Sequence, residues 1–186
     1  MPRLFIAIHA DPSSSLTDFI KKLKHIAPFP AVKWVDPEQY HLTLKFLGDY
    51  PKDNITHLIS MLDQIATHHN CFFYTIKGAG YFSTREKMLK VIWAGIKPSN
   101  PFSDINNNIN TILSQQGWSQ NHQYFKPHLT LGRVKKNIHD KKLIQYISEY
   151  NNFTFVETRA TKFALIESKL TPQGPIYKTI ETFNLQ

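Results

Sequence analysis

Two short segments carry the residue types that do chemistry. His41-Leu42-Thr43-Leu44 recurs as His128-Leu129-Thr130-Leu131. With nine His in 186 residues, a His-x-Thr triplet arises by chance about 0.7 times, and the full His-Leu-Thr-Leu only about 0.005 times. Side chains alternate across a strand, so His41 and Thr43 share one face while Leu42 and Leu44 hold the other; the second copy repeats the arrangement. If the two strands lie side by side, two imidazoles and two hydroxyls converge on one cavity. That set suits metal-free cleavage of a phosphodiester. A neutral imidazole takes a proton from water and a protonated one gives a proton to the leaving oxygen. Both forms exist near neutrality because an ordinary His titrates at about 6.5. The hydroxyls donate to the non-bridging oxygens where charge collects. Lys45 has the parity of His41 and Thr43 and adds positive charge.

The plainer readings lie beside this one. A half-buried strand also uses Thr for its β propensity and His as a satisfied polar group, and one copy alone would carry no more. His9, His25, His57, His68, His69, His122 and His139 fall at helix ends, loops or exposed faces and read as surface residues. His68-His69 has no carboxylate or cysteine at ligand spacing, so no metal is expected. Cys71 is the only cysteine, which excludes a disulfide framework and a multi-cysteine zinc site; it reads as a buried structural thiol. Gly78-Ala79-Gly80 lacks the remainder of a phosphate loop.

The motifs need strands beneath them, and the hydrophobic pattern supplies these. Arg3 to Ile8, Val32 to Val35, Tyr40 to Leu47, Phe72 to Phe82, Leu89 to Ile96 and Leu129 to Val134 read as strands. Phe153 to Glu157, Lys162 to Leu170 and Tyr177 to Leu185 follow. Helical spacing marks Leu16 to Ile26, capped by Asp11 or Ser13 and stopped by Pro28 and Pro30. A second helix follows a cap at Asp53, a third runs from Pro101 to a stop at Gly117, and a fourth covers Asp140 to Tyr150. Strands flank each helix, which predicts an α+β fold of antiparallel sheet backed by helices. No linker divides residues 1–186, so the chain reads as one domain, with two lobes allowed.

Charge narrows the partner. Twenty-two Lys and Arg against fourteen Asp and Glu leave a net +8, and the pI is near 9.5. That balance favours an anionic partner such as nucleic acid or a phosphorylated small molecule. Lys21-Lys22-Lys24, Lys135-Lys136 and Lys141-Lys142 read first as solvated faces; Lys135-Lys136 directly follow the second motif, so guiding RNA phosphates is the alternative reading for that pair. Trp34 and Phe125 read as core; Tyr124 is open between core packing and base stacking. The start fits no signal peptide and no apolar run suits a membrane span, so a soluble, cytoplasmic protein is expected.

The paired motifs, extended as His-Leu-Thr-Leu-Lys-Phe-Leu-Gly at 41–48 and His-Leu-Thr-Leu-Gly-Arg at 128–133, resemble the 2H phosphoesterase superfamily. Within it they resemble the RNA 2′,3′-cyclic phosphodiesterase branch, also called the 2′-5′ RNA ligase family. The likeness extends to Arg3-Leu4-Phe5-Ile6-Ala7-Ile8, Gly80-Tyr81-Phe82, Val91-Ile92-Trp93-Ala94-Gly95-Ile96, Leu165-Ile166-Glu167-Ser168-Lys169-Leu170 and Gly174-Pro175-Ile176-Tyr177. It implies a bilobal α+β fold whose two pseudo-symmetric lobes each give one motif to a central cleft. It also implies no cofactor, and an RNA or oligonucleotide partner ending in a 2′,3′-cyclic phosphate that is opened to a 2′-phosphate; a monomer is expected, and the missing ligand cluster predicts no metal. His41 takes the proton-donor role and His128 the acceptor role, with Thr43, Thr130 and Arg133 on the phosphate. Arg133, by strict alternation, points away from His128. Phe46 stands at a base-stacking position of the family, yet has the parity of the buried leucines. The alternatives are cleavage or joining of 2′-5′ linkages by the same two histidines, and an RNA- or nucleotide-binding module without turnover.

Overall fold

The computed structural model describes residues 1–27, 30–118, 125–135, 141–172 and 174–186. The opening apolar run forms β1 (Arg3–His9), with Leu4 to Ile8 all buried, as a strand covered on both faces requires. Ser13, not Asp11, caps α1 (Ser14–Ile26), its side chain accepting from the Leu16 N–H at 3.2 Å. Leu16, Phe19, Ile20 and Leu23 form the buried stripe of that helix. Next come β2 (Val32–Trp34), the first motif strand β3 (His41–Asp49) and α2 (Ile55–Thr67). Asp53 is not the cap of α2: a single 3-10 turn, Lys52–Asn54, contains it and Asn54 stands at the cap.

The pair β4 (Phe72–Ser83) and β5 (Leu89–Lys97) leads to α3 (Asn100–Gln115). Gly117 ends that helix at φ +78, its N–H bonded to the Ser114 carbonyl at 3.0 Å; the left-handed turn suits glycine. The second motif strand, β6 (His128–Val134), precedes α4 (Lys141–Glu149), β7 (Thr154–Ala160), β8 (Lys162–Thr171) and β9 (Gly174–Asn184). The last strand starts ahead of the expected Tyr177 because its hairpin with β8 pairs as far as Thr171 and Gly174.

Among the described residues the strands form one antiparallel sheet in the order β7-β4-β5-β6-β3-β1-β8-β9, with β2 also on β6. Outward from the centre, β6-β5-β4-β7 on one side matches β3-β1-β8-β9 on the other. Helices α1 and α4 pack on the first set and α2 and α3 on the second. This is the expected α+β architecture of two pseudo-symmetric lobes. The lobes join through one ladder pair, Leu42 with Leu129, and both side chains are fully buried. No helix among the described residues is long and apolar enough to cross a membrane.

Each motif strand carries a bulge at the same place. On β3, Ala7 pairs with Thr43 and Ile6 with Lys45, leaving Leu44 as the extra residue. On β6, Trp93 pairs with Thr130 and Ile92 with Gly132, leaving Leu131 as the extra residue. A bulge shifts the in–out phase of everything beyond it. Phe46 therefore pairs with Phe5, in phase with Thr43, and Arg133 pairs with Val91, in phase with His128 and Thr130. Strict alternation fails for both residues for this reason.

Gly132 is part of the second bulge, and a Cβ there would lie 2.8 Å from Val32 Cγ1 and 2.9 Å from the Trp34 ring. Gly132→Ala is expected to destabilise the fold by about 1–3 kcal/mol through overpacking. In a chain of this size that lowers Tm by roughly 2–12 °C. Thermal unfolding followed by circular dichroism checks it; an unchanged Tm would show that β2 moves aside freely.

Candidate active site

An antiparallel ladder has a local two-fold axis between paired residues, and at Leu42–Leu129 that axis passes through the centre of the molecule's sheet. One residue on either side, His41 comes across from Thr130 and Thr43 across from His128. The two histidines are diagonal neighbours, a relation that spaces residues about 7–8 Å apart with their Cβ atoms somewhat closer. All four side chains line one cavity of about 240 Å³, together with Arg133, Lys45 and Phe46. The structure thus brings together every site residue expected from the sequence except Tyr124, which lies outside the described residues.

Both histidines are held alike. His41 Nδ1 lies 2.7 Å from the Gln39 carbonyl and His128 Nδ1 lies 2.7 Å from the Lys126 carbonyl. A carbonyl only accepts, so Nδ1 carries the hydrogen in each ring and Nε2 is the atom free to take or give a proton. Aromatic edges fix the ring planes. His41 packs against Phe5 at 5.0 Å and perpendicular to Tyr177 at 5.3 Å, and His128 stands perpendicular to Phe82 at 4.9 Å.

Burial is the main force lowering both histidine pKa values; each carbonyl bond opposes it by favouring the charged ring, and the Arg133 cation pushes both lower still. His128 and His9 add to the lowering at His41, and Lys126 adds to it at His128. The cavity is a site for negative charge with two imidazoles inclined to be neutral.

The cations reach the cavity by different routes. Arg133 enters on the motif face through the β6 bulge. Lys45 pairs with Ile6, out of phase with Thr43, and reaches the cavity from the side of α3, where its amine donates to Asn110 Oδ1. Parity was therefore the wrong reason for Lys45, though it does line the site. Asn110 donates in turn to Asn106 Oδ1 at 2.9 Å, and the buried Asn106 donates to the Leu44 carbonyl at 2.7 Å. This chain ties the lysine to the bulge, and sequence reasoning missed it. A polar Asn106 on the apolar face of Phe102, Ile105 and Ile109 was the available signal.

Phe46 is 62% exposed, its ring 6.0 Å from Phe5, so it presents a face to the cavity mouth and not to the core. Tyr177 and Lys126 also line the cavity, and nothing in the sequence marks either as a site residue. Lys126 sits over the Trp93 ring at 4.6 Å. Trp34 and Phe125 pack partly against the core, as expected, while each also borders a cavity. His9, His25, His57 and His68 are exposed and His69 is half-buried beside Asn108. His122, His139 and Lys136 lie outside the described residues. Cys71 is half-buried with its thiol toward the Leu185 carbonyl. Among the described residues no group of three or more His, Cys, Asp and Glu side chains is placed to hold a metal ion.

Residues 6–93 and 96–177 match the family described as LigT like Phosphoesterase. A Methanothermobacter thermautotrophicus protein named RNA 2′,3′-cyclic phosphodiesterase is 31% identical over 185 residues, covering 98% of each chain. A Thermotoga maritima protein of the same name is 35% identical over 182 residues, covering 96% of this chain and 92% of its own. A solved Thermus thermophilus structure superposes with a TM-score of 0.80 at 27% identity, covering 98% of this chain and 97% of that one. Escherichia coli LigT, solved with 3′-AMP, shares the fold at a TM-score of 0.77 and 23% identity, covering 100% of this chain and 98% of that one. With both halves of the sequence matched and both motifs facing one cavity, the chain belongs to the LigT-like phosphoesterase family.

Proposed function

We propose that this chain is an RNA 2′,3′-cyclic phosphodiesterase that opens the cyclic phosphate at an RNA end to a 2′-phosphate by paired histidine acid–base catalysis. The observation that carries the reading is the two-fold placement of His41, Thr43, His128 and Thr130 around one cavity. The curated relatives named for this activity support it. In the reaction, His128 Nε2 takes a proton from water as the water oxygen attacks phosphorus. The bond from phosphorus to O3′ breaks, and His41 gives its Nε2 proton to O3′, leaving a 3′-hydroxyl and a 2′-phosphomonoester. Thr43, Thr130 and Arg133 hold the non-bridging oxygens as charge builds there. The turnover leaves His128 protonated and His41 neutral, and exchange with solvent resets them. The donor and acceptor assignment follows the family resemblance, because the two-fold geometry treats the histidines alike.

Incubation of a 2′,3′-cyclic-phosphate-ended oligonucleotide with the protein in excess EDTA is expected to give the 2′-phosphomonoester. Activity abolished by EDTA and restored by one metal would sink the metal-free mechanism, and a 3′-phosphate product would overturn the leaving group. Accumulation of 2′-5′-linked product from a 5′-hydroxyl acceptor would favour the joining reaction instead, and absence of all turnover the binding module.

His41→Ala and His128→Ala are each expected to lose roughly 10²- to 10⁴-fold in kcat/KM. A substrate with a far better 3′ leaving group should restore His41→Ala and not His128→Ala, since such a group departs without a proton. Rescue of His128→Ala instead would show that the two roles are exchanged.

The pKa directions set the pH profile. Catalysis needs one ring protonated and one neutral, a state most populated midway between the two pKa values of the free enzyme. Both lie below the ordinary value of 6.5, so kcat/KM should peak on the acid side of 6.5, below the neutral optimum that unperturbed rings would give. Arg133→Gln should move the peak alkaline, because removing a cation eases protonation of both rings. A peak above pH 7 in the unaltered protein contradicts the burial argument.

A further inference from the structure

The catalytic cavity is too small for the substrate proposed for it. At about 240 Å³ it falls below the roughly 300–1,000 Å³ of pockets that enclose a drug-sized ligand. It suits a cyclic phosphate and part of its ribose, and the rest of an RNA end must lie outside. An RNA ending in a 2′,3′-cyclic phosphate continues in one direction only, 5′ of the terminal nucleotide, so one surface must receive it.

Two grooves open from the cavity. The larger, about 640 Å³, shares Val35, Phe46, Arg133 and Tyr177 with it and runs between β2 and the hairpin of β8 and β9. Arg3, Lys33, Arg133 and Lys135 line this groove, and among the described residues no carboxylate does. Arg3, Arg133 and Lys135 take part in none of the ion pairs formed among the described residues. The smaller, about 440 Å³, shares Phe125 and Lys126 with the cavity and is lined by Lys77 and Lys97. Of its two aromatic rings, Trp93 is already covered by the Lys126 ammonium and Phe125 packs partly against the core, whereas Phe46 in the larger groove is open. Cations without carboxylates beside an open aromatic face are the combination that holds a single-stranded nucleic acid.

We infer that the larger groove receives the nucleotides 5′ of the reacting one, with Arg3 and Lys135 on their phosphates, so that oligonucleotide ends are preferred over mononucleotide cyclic phosphates. The inference rests on the phosphodiesterase reading above. It goes beyond that reading by setting the length of substrate recognised and the path the strand takes.

The test compares kcat/KM for cytidine 2′,3′-cyclic phosphate and for a cytidine trinucleotide ending in 2′,3′-cyclic phosphate. The trinucleotide is expected to be better by on the order of tenfold or more, the worth of a charge-assisted hydrogen bond or two. In the double variant Arg3→Gln/Lys135→Gln that ratio should fall several-fold toward one. Its salt slope should also shrink, by about 0.7 for each phosphate no longer neutralised. The double variant Lys77→Gln/Lys97→Gln removes the same charge from the other groove and should keep the ratio. Because the readout is a ratio of two substrates on one protein, a partial loss of folded enzyme does not move it. Equal kcat/KM for the two substrates in the unaltered protein overturns the groove while leaving the hydrolase reading intact. A ratio lost only in the Lys77→Gln/Lys97→Gln variant places the strand in the smaller groove and overturns it too. Turnover of neither substrate sinks the hydrolase reading itself and the groove with it.

Discussion

The pairing of Leu42 with Leu129 is the contact on which the rest of the molecule depends. It is the single ladder pair between two four-stranded half-sheets. An antiparallel pair places equivalent residues about a local two-fold axis, so joining the lobes there also sets each His across from the other motif's Thr. Two leucines buried beneath the site hold the lobes together and fix the separation of the groups above them. The core and the catalytic geometry therefore share one constraint. Loss of either leucine would open a cavity under the site, a class of change that costs about 2–5 kcal/mol.

The bulges are the second device, and their symmetry matters more than either one alone. Each inserts its extra residue three positions after the motif His, as Leu44 and as Leu131. Each brings the fifth position after the His onto the face of the motif His and Thr: Phe46, an apolar ring, in one lobe and Arg133, a cation, in the other. One backbone irregularity, used twice, thus gives the cleft an aromatic side and a charged side. The residues that follow the extra leucines divide similarly, with Lys45 held by the Asn106–Asn110 chain and Gly132 closed over by Val32 and Trp34.

The electrostatics follow from the same packing. Placing two imidazoles in a half-buried cavity with Arg133 favours their neutral forms, yet one must carry a proton to act as an acid. A bound phosphate anion supplies the opposing charge that makes protonation easier. In the proposed mechanism the substrate would thereby help to prepare its own acid. The carbonyls of Gln39 and Lys126 fix the tautomer of each ring beforehand, so no proton need move within a ring when substrate arrives.

Some of this was determined by the sequence alone. The repeated His-Leu-Thr-Leu, too improbable to be chance, named the four side chains that line the central cavity. The hydrophobic periods named every strand and helix to within a few residues, because burial of alternate or helically spaced apolar side chains is a local requirement. The basic balance pointed to an anionic partner, since charge is a property of composition. Only the tertiary structure decided what depends on neighbouring strands. A bulge is a mismatch in length between two strands, invisible in either one, so the phases of Phe46, Arg133 and Lys45 could not be read from β3 or β6 alone. Tyr177 entered the site through packing between segments far apart in the chain, and Lys126, two residues before His128, carries no pattern that marks it. The carbonyls of Gln39 and Lys126 that fix the histidine tautomers belong to the backbone, which has the same chemistry at almost every residue. Side-chain types could reveal what reacts; only the pairing of strands could reveal where it is aimed.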